Sequence, residues 1–167
     1  LRVRCCEHHD RRPAARRQWN DLVTPVPAHE ADLEAIRQLK ARYFRLMDTK
    51  QWDALREVFT TDVRIDTAED SGTVIDGVDE YMPFLVSMIG DVTTVHHGHM
   101  PEITIVDADT ATGIWAMEDE LWWPEGSPIQ HLHGFGHYHE TYRRTADGWR
   151  IAEMTLTRLH RIFDLAD

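Results

Sequence analysis

The chain has 167 residues, 42% of them hydrophobic, which suits a single domain with a sizeable core. Its formal net charge of −11 argues against broad binding to nucleic acid or to anionic membranes. No stretch approaches the roughly 18–20 consecutive apolar residues that span a bilayer. We therefore expect neither a nucleic-acid nor a membrane partner.

Residues 1–27 differ in character from the rest of the chain. The first 17 residues carry six arginines against two acidic residues, and the segment ends in Thr24-Pro25-Val26-Pro27, which favours an extended backbone. We predict a basic, flexible N-terminal arm over residues 1–27 and a single domain over residues 28–167. The two cysteines are adjacent in this arm and cannot join distant parts of the fold. With no apolar secretory signal, this pattern predicts a reducing, cytoplasmic location.

A helical pattern begins at His29. Along it, side chains that would share one face recur at spacings of three and four residues, as in an amphipathic helix. The stripe consists of Leu33, Ile36, Lys40, Tyr43, Phe44 and Met47. It predicts a first helix of about five turns. A second, short helix is predicted next, with an apolar side formed by Trp52, Leu55, Val58 and Phe59, and a third over residues 79–89.

Strands are predicted where the spacing of apolar residues changes to two. Val63-x-Ile65 alternates like a strand, and Val74-Ile75 is its predicted hairpin partner. Four longer segments, joined by short turns, follow over residues 96–106, 111–123, 130–144 and 149–162. Short turns favour an antiparallel meander. Helices followed by a long sheet predict an α+β architecture.

Histidine is concentrated in the strand region. Seven of the eleven histidines lie between residues 96 and 139, in the runs His96-His97-Gly98-His99, His131-x-His133 and His137-x-His139. Imidazole changes charge near neutral pH, so it serves as a general base, a proton shuttle or a metal ligand. If the strand alternates, His96 shares a face with Gly98, whose missing side chain would leave space beside the imidazole.

The segment 111–123 carries one face that suits a pocket. Trp115, Met117, Asp119 and Leu121 share that face, and a lone carboxylate among apolar side chains is costly unless it is paired. Asp119 is therefore either a pocket acid with a raised pKa or the ion-pair partner of Arg158. We prefer this face as the pocket lining.

The next strand segment leaves two possibilities open. His131, His133, Phe135, His137 and His139 share a face, and alternate histidines on strands bind iron, manganese or zinc in cupin barrels. The four histidines span about 26 Å of strand, so they cannot all reach one ion without a bend. The alternative is that some of them contact the substrate. We therefore predict no metal or other cofactor, and a substrate pocket lined by Phe44, Met47, Trp115, Met117, Leu121, His133, Phe135 and His139.

The order of elements resembles the nuclear transport factor 2-like superfamily, in its SnoaL-like branch, over residues 29–163. The resemblance implies a cone-shaped α+β barrel, in which a long N-terminal helix and two further helices pack on a curled, mainly antiparallel sheet. A deep pocket lies between the first helix and the sheet in that fold. Relatives include both enzymes and binding modules, so the fold alone does not assign a function.

One enzymatic group of the superfamily offers more specific residues. It includes scytalone dehydratase, bile-acid 7α-dehydratase and hexachlorocyclohexane dehydrochlorinase. The group pairs an Asp near the end of the first helix with a His on the third strand, positions that Asp48 and His96 match here. Tyr43 matches a Tyr of the bile-acid enzyme, whereas the dehydrochlorinases have Lys there, which makes halide elimination less favoured. Asp119 stands where the group has a further Asp. The group also has an Arg on its final strand, expected near Leu159 here, and Arg158 is next to that position.

The resemblance implies acid–base chemistry. A carboxylate that hydrogen-bonds one imidazole nitrogen fixes the tautomer and raises the basicity of the other nitrogen. Asp48 would orient His96 as the general base, and Tyr43, Asp119 or Arg158 would stabilise a developing oxyanion or leaving hydroxyl. The implied function is a cofactor-independent lyase of the dehydratase type, or an isomerase, acting on a small apolar oxygenated substrate of steroid, polyketide or aromatic type.

Two other functions fit the same residues. The first alternative is a non-catalytic ligand-binding or protein-interaction module of the same fold, in which His96 is a core imidazole. The second is a His-rich metalloenzyme. The tryptophans on the strands also predict more exposed apolar area than a monomer usually has, so we expect a homodimer or homotrimer formed through the sheet face.

Overall fold

The computed structural model describes residues 28–166, so the predicted basic arm of residues 1–27 lies outside the described residues. The helices within that range are α1 Ala28–Asp48, α2 Trp52–Arg56, α3 Ala68–Ser71 and α4 Val78–Ile89. The strands are β1 Phe59–Thr67, β2 Thr73–Asp76, β3 Thr93–Gly98, β4 Glu102–Ile105, β5 Thr110–Trp122, β6 Ile129–Thr145 and β7 Gly148–Leu165. Between residues 28 and 166, no helix combines the length and the apolar character that crossing a bilayer requires.

The strands form one curled sheet in the order β2-β1-β7-β6-β5-β3, with β4 also paired to β5. Only the contact between β1 and β7 is parallel among the strand pairs of residues 28–166. The predicted α+β fold, with helices on a curled and mainly antiparallel sheet, is confirmed. Two details differ: the sheet does not close into a barrel, and the short α3 adds a helix to the three predicted.

The predicted strand over residues 96–106 is divided into β3 and β4. The interruption includes Pro101, which has no backbone N–H to donate to β5 and so cannot continue a ladder in the middle of a sheet. β3 pairs with the second half of β5, and β4 pairs with its first half. The break therefore ends the strand that carries His96 soon after that residue.

Helix α1 lies on the concave side of the sheet. Its stripe of apolar residues is buried there, with Ile36 and Leu39 fully inaccessible to solvent and Tyr43 and Met47 only 2% exposed. Burying each such side chain contributes about 1.5–3 kcal/mol. Lys40 belongs to the same stripe and is also fully buried. The stripe sets the rotation of α1, and so determines which side chains the helix presents to the sheet.

Alternation along β5 and β6 separates an inner face, which packs towards α1, from an outer face. The buried inner residues are Trp115, Met117, Asp119 and Leu121 of β5, and Leu132, Gly134, Gly136 and Tyr138 of β6. The outer residues between them are half-buried or exposed: Glu118 and Glu120 of β5, and His131, His133, Phe135, His137 and His139 of β6. Because side chains alternate strictly, the register of β6 decides which set lines the interior.

This register corrects part of the predicted pocket. His133, Phe135 and His139 were expected to line it, but they lie on the outer face. The inner positions of β6 are taken by residues that fit the interior better, including Tyr138, which is 3% exposed. The face of β5 that carries Trp115 and Asp119 is the inner one.

Candidate active site

A cavity of about 210 Å³ lies between α1, α4 and the inner face of the sheet. Most of its wall is apolar, formed by side chains such as Met47, Leu85, Leu121, Leu132 and Leu156. Among residues 28–166, the polar residues that line it are His96, three tyrosines, Asp119, Asp70, Arg158, Arg161, Thr67 and Ser71. An apolar chamber with a small set of placed polar groups is typical of a small-molecule site.

His96 and Asp48 form a hydrogen-bonded pair at this cavity. The Nδ1 of His96 is 2.6 Å from Oδ1 of Asp48, and the backbone N–H of His96 donates to Oδ2 of the same carboxylate at 2.9 Å. Their side chains are 7% and 20% exposed, respectively. Two contacts from one residue fix the ring relative to the carboxylate. Nε2 of His96 has no hydrogen-bond partner among residues 28–166, so it is free to meet a ligand.

The carboxylate of Asp48 is itself held in place. It accepts a hydrogen bond from the Thr94 hydroxyl at 2.9 Å, and Lys50 donates to the same hydroxyl at 3.0 Å. Burial acts to raise the pKa of Asp48, but the hydrogen bonds and charge of His96, together with the Thr94 hydroxyl, outweigh burial and lower the pKa. Asp48 is therefore an anion at neutral pH, as a partner for an imidazole must be.

Asp119 and Arg158 form a second buried pair beside the first. The guanidinium donates to both carboxylate oxygens, with Nη1 at 2.9 Å from Oδ1 and Nη2 at 2.8 Å from Oδ2. Its Nε donates to Asp70 at 2.8 Å, and the backbone N–H of Arg158 donates to Glu69. Of the two roles open to Asp119 in the sequence, the structure assigns the ion pair.

The acidic neighbours of Arg158 stabilise its positive charge. Burial acts to lower the pKa of Arg158, but hydrogen bonds and charges from Asp119 and Asp70 outweigh it and raise the pKa. Gly134 makes the pair possible, because a Cβ at that position would lie only 2.5 Å from Nη1 of Arg158 and would also overlap the Asp119 carboxylate. The hydrogen bond from Arg158 to Asp70 also joins helix α3 to β7 at the edge of the cavity.

Three tyrosines bring hydroxyl groups to the cavity: Tyr43, Tyr81 and Tyr138. Burial raises the pKa of Tyr81 well above its usual range, and it does the same for Tyr43 and Tyr138. The nearby carboxylates Glu140 and Asp119 act in the same direction on Tyr43 and Tyr138, respectively. All three phenols are therefore neutral and can donate hydrogen bonds to a ligand.

The other predicted lining residues are divided between two spaces. Met47 and Leu121 line the cavity, whereas Phe44 and Trp115 line an open groove on the other side of His96. Met117 lies beneath the second pair, its sulfur 3.6 Å from Nη1 of Arg158. His96 borders both spaces, and Asp48 borders the groove.

The expected space beside His96 at Gly98 is filled. A Cβ at Gly98 would lie 2.5 Å from Cε2 of Phe44, so the glycine gives room to that ring and not to a ligand. The Phe44 ring is stacked near the imidazole, with centroids 6.4 Å apart and planes 17° from parallel. The aromatic contact adds to the restraints on the His96 ring.

Several cavity residues were missed by the sequence reasoning. Tyr138 and Leu132 lie on the face of β6 that was not chosen, while Asp70 and Arg161 come from segments remote from the expected site. The pair of glycines at 134 and 136 was the available signal for the first two, because small residues on one strand face mark a close approach of other groups.

The histidines that motivated the metal hypothesis are engaged elsewhere. On the outer face, His133 Nε2 is 2.7 Å from Glu118 Oε1, and His131 hydrogen-bonds Glu120. Within residues 28–166, no group of three or more His, Cys, Asp or Glu side chains is arranged to hold a metal ion. The outer-face run therefore does not contribute to the cavity in which the first pair lies.

A long amphipathic helix across a curled sheet, with a cavity between them, defines the nuclear transport factor 2-like class of α+β proteins. Residues 29–155 match the SnoaL-like domain family, and the chain belongs to that family. The family resemblance drawn from the sequence is thus confirmed.

Relatives agree with this assignment. The chain is 25% identical over 134 residues to a Gibberella zeae protein named "Probable cyclase FGR4", covering 75% of this chain and 89% of that one. It is similar in structure to the Kfla4162 protein of Kribbella flavida, with 29% identity, a TM-score of 0.75, and coverage of 80% and 95% of the two chains. A candidate scytalone dehydratase of Novosphingobium aromaticivorans has the same fold, at 18% identity and a TM-score of 0.73, over 83% and 91% of the chains.

Proposed function

We propose that this protein is a cofactor-independent lyase of the dehydratase type, or an isomerase, acting on a small, largely apolar, oxygenated substrate. The observation that supports this most is the pairing of Asp48 with Nδ1 of His96 at 2.6 Å, which leaves the other ring nitrogen available beside an apolar cavity. The names of the relatives, a cyclase and a scytalone dehydratase, point towards the same kind of chemistry.

In the proposed reaction, His96 is the general base. Nε2 takes a proton from a carbon next to a carbonyl, and the electrons of the broken C–H bond form an enolate whose oxygen accepts hydrogen bonds from Tyr43 or Tyr138. The enolate then expels a hydroxyl from the adjacent carbon as the C=C bond forms. Protonated His96 returns its proton to that hydroxyl, so that water leaves and the catalyst is restored. General base catalysis of this kind contributes about 10²–10⁴-fold.

The two buried pairs have separate roles in this proposal. Asp48 holds His96 in one tautomer and stabilises the imidazolium that forms after proton transfer. Arg158 already uses its guanidinium on Asp119 and Asp70, so we propose that this pair shapes the cavity and supports Met117 and Tyr138. An isomerase would follow the same first step and return the proton to a different carbon.

The cavity limits the class of substrate. Its walls are mostly aliphatic and aromatic, so the bulk of the substrate must be apolar, and its polar groups must cluster at the end where His96 and the tyrosines lie. Ring compounds with a carbonyl and a neighbouring hydroxyl, of steroid, polyketide or aromatic type, have this distribution.

The alternative is a module that binds such a compound without chemistry. A library of hydroxylated steroids, polyketides and aromatic compounds, screened by thermal shift and then by mass spectrometry, separates the two. We expect a ligand that raises the melting temperature and also loses 18 mass units or isomerises on incubation, and we expect His96→Gln to bind it without converting it. Ligands that bind but never change would leave only the binding module.

We also propose that copies of the chain associate through the outer face of the sheet as a homodimer or homotrimer. Trp122 is 41% exposed there and is stacked on His131, and Ile114 is 37% exposed. Such apolar area is more typical of an interface than of a free surface. Sedimentation at micromolar concentration tests this, and Trp122→Glu should favour the monomer. A parent protein that sediments as a monomer would contradict the proposal.

A further inference from the structure

A buried cation lies in the middle of α1 and takes no part in the reaction proposed above. Lys40 is fully inaccessible to solvent, and its Nζ is 2.5 Å from Oε1 of Glu140 on β6. Both side chains of this pair have no exposed surface. Burial lowers the pKa of Lys40, and the charge and hydrogen bond of Glu140 oppose that effect only in part. A charged pair in such a place is not needed for a stable core, since apolar side chains of similar volume often serve as well.

The surroundings of the ammonium are aromatic. Nζ of Lys40 lies 3.7 Å from the ring centroid of Tyr138 and 4.1 Å from that of Tyr43, with Phe44 at 4.7 Å. Distances below about 6 Å from a ring centroid give a favourable cation–π contact, which is strongest where water is excluded. One ammonium therefore contacts the rings of two phenols.

Both carboxylate oxygens of Glu140 accept hydrogen bonds. While Oε1 accepts from Lys40, Oε2 accepts a hydrogen bond from the Tyr142 hydroxyl at 2.5 Å. The Tyr142 oxygen in turn accepts from Nε1 of Trp115 at 2.7 Å. The charge of Glu140 still acts to raise the pKa of Tyr43, whereas the ammonium of Lys40 lies directly against the rings of Tyr43 and Tyr138 and acts in the opposite direction.

Those two phenols line the same cavity as His96. Burial raises the pKa of each, which on its own would make them weak donors to an anionic oxygen. A cation against the ring draws electron density from the phenol and favours its anionic form, so it strengthens the O–H as a hydrogen-bond donor. Lys40 therefore acts against the effect of burial.

We propose that Lys40 is a positioning residue that tunes Tyr43 and Tyr138 to hold an oxyanion in the cavity. This inference rests on the proposed function, because an oxyanion is what forms when His96 removes a proton next to a carbonyl. It also narrows the ligand class: the site should prefer ligands with an acidic hydroxyl, such as phenols and enols, over ligands of the same shape without one.

Binding of substituted phenols tests this without any turnover. A series of chlorinated phenols with decreasing pKa is titrated into the parent protein and into the double variant Lys40→Met/Glu140→Gln, which removes both charges and leaves neither unpaired. In the parent, affinity should rise steeply as the phenol becomes more acidic. In the variant the slope should flatten, with about a tenfold loss for the most acidic phenols. The corresponding anisoles, which have no O–H, should bind both proteins equally.

Two further variants keep the test decisive. If the Met variant does not fold, Lys40→Gln/Glu140→Gln replaces it, with a hydrogen bond retained between the two side chains and the same flattening expected. In a Tyr138→Phe/Tyr43→Phe background, neutralising the Lys40 pair should have no further effect, because the groups it acts through are gone. A neutral pair placed on the outer face, His133→Gln/Glu118→Gln, serves as the matched control with an unchanged slope.

The outcome separates this inference from the proposed function. Equal slopes in the parent and in a folded neutral variant would overturn the role of Lys40 and leave the His96 mechanism as it stands. A flattened slope in a protein that never converts any compound would support the role of Lys40 in ligand binding and contradict the lyase.

Discussion

Both faces of β5 and β6 carry titratable side chains, but the two faces differ in how far those side chains are exposed to solvent and in how they are paired. On the outer face, His131 and His133 meet Glu120 and Glu118 with about a quarter of each side chain exposed. On the inner face, Asp119 is 2% exposed and meets Arg158 through two hydrogen bonds. The same strands thus carry a solvated ladder of weak pairs on one side and a fixed, dehydrated pair on the other.

The comparison shows that the density of histidine does not locate the candidate site. Four histidines lie on the outer face of β6, where water screens their charges and side chains have freedom to move. Of the histidines within residues 28–166, only His96 lines the cavity; it comes from β3 and is held by Asp48 and by the Phe44 ring. Two features distinguish His96 from the outer histidines. Its ring is held in one orientation, and it lies in a buried environment of low dielectric, which strengthens its electrostatic interactions.

The largest expected difference between the faces is in activity. His96→Gln should reduce turnover of a substrate found by screening by about 10²–10⁴-fold, because the variant lacks the proposed general base. His133→Gln, the matched change on the outer face, should leave turnover unchanged. Steady-state kinetics on both variants, with circular dichroism to confirm folding, makes the comparison. Equal effects would remove the distinction between the faces.

The next largest effect is expected on the free energy of unfolding, when the buried pair of Asp119 and Arg158 is broken. Arg158→Met leaves the buried Asp119 carboxylate without its partner and should lower the free energy of unfolding by about 3–5 kcal/mol. Arg158→Met/Asp119→Asn should recover much of that loss, because no buried charge remains. Urea unfolding of the single and double variants measures both. A single variant that is as stable as the parent would show that the pair is solvated.

Asp48→Asn should lower turnover by about tenfold to a thousandfold, because the amide cannot stabilise the imidazolium. It should also change the response to acid. The pKa of Asp48 is lowered in the folded protein from its usual 3.8, so its contribution to stability is present above that pH and is lost as the pH falls through the folded value. The parent should therefore be more stable than the variant at neutral pH, and the gap should narrow below about pH 4. A constant gap across this range would show that the ionised Asp48 carboxylate does not stabilise the fold.

The smallest effect is expected at the outer face. The hydrogen bond to Glu120 raises the pKa of His131 above its usual 6.5, and burial opposes it only in part. Because the pKa of His131 is higher in the folded state, protonation of His131 stabilises the fold. This stabilisation is fully present below pH 6.5 and is lost as the pH rises through the folded pKa. His131→Gln should thus cost about a few tenths of a kcal/mol at mildly acidic pH and nothing at alkaline pH. Thermal unfolding over that range measures it, and a loss that grows with pH would have the wrong sign.

Much of the fold could be predicted because it depends on local spacing. The stripe of α1 ends at Met47 and Asp48, so the helical period alone directs that carboxylate towards the sheet. The period of β5 in the same way puts Trp115 and Asp119 on one face. These predictions needed only the geometry of one element.

The rest depended on contacts between elements. Alternation says which residues of β6 share a face, but both of its faces mix polar and apolar groups, so the spacing does not say which face is concave. Register shifts near Gly136 and Tyr142, where β6 pairs with β7, add a further uncertainty that no local pattern resolves. Asp70 reaches Arg158 across 88 residues of chain, through a four-residue helix too short to have a periodic signature.

The location of His96, between the cavity and the open groove, predicts exchange of hydrogen isotopes with the solvent. A proton held on the imidazole, or on its carboxylate partner, lies at the groove, which is open to bulk water. Exchange with the medium is therefore expected to compete with return to the ligand. A compound incubated in D₂O should acquire deuterium at the carbon that is deprotonated, even under conditions where no hydroxyl departs.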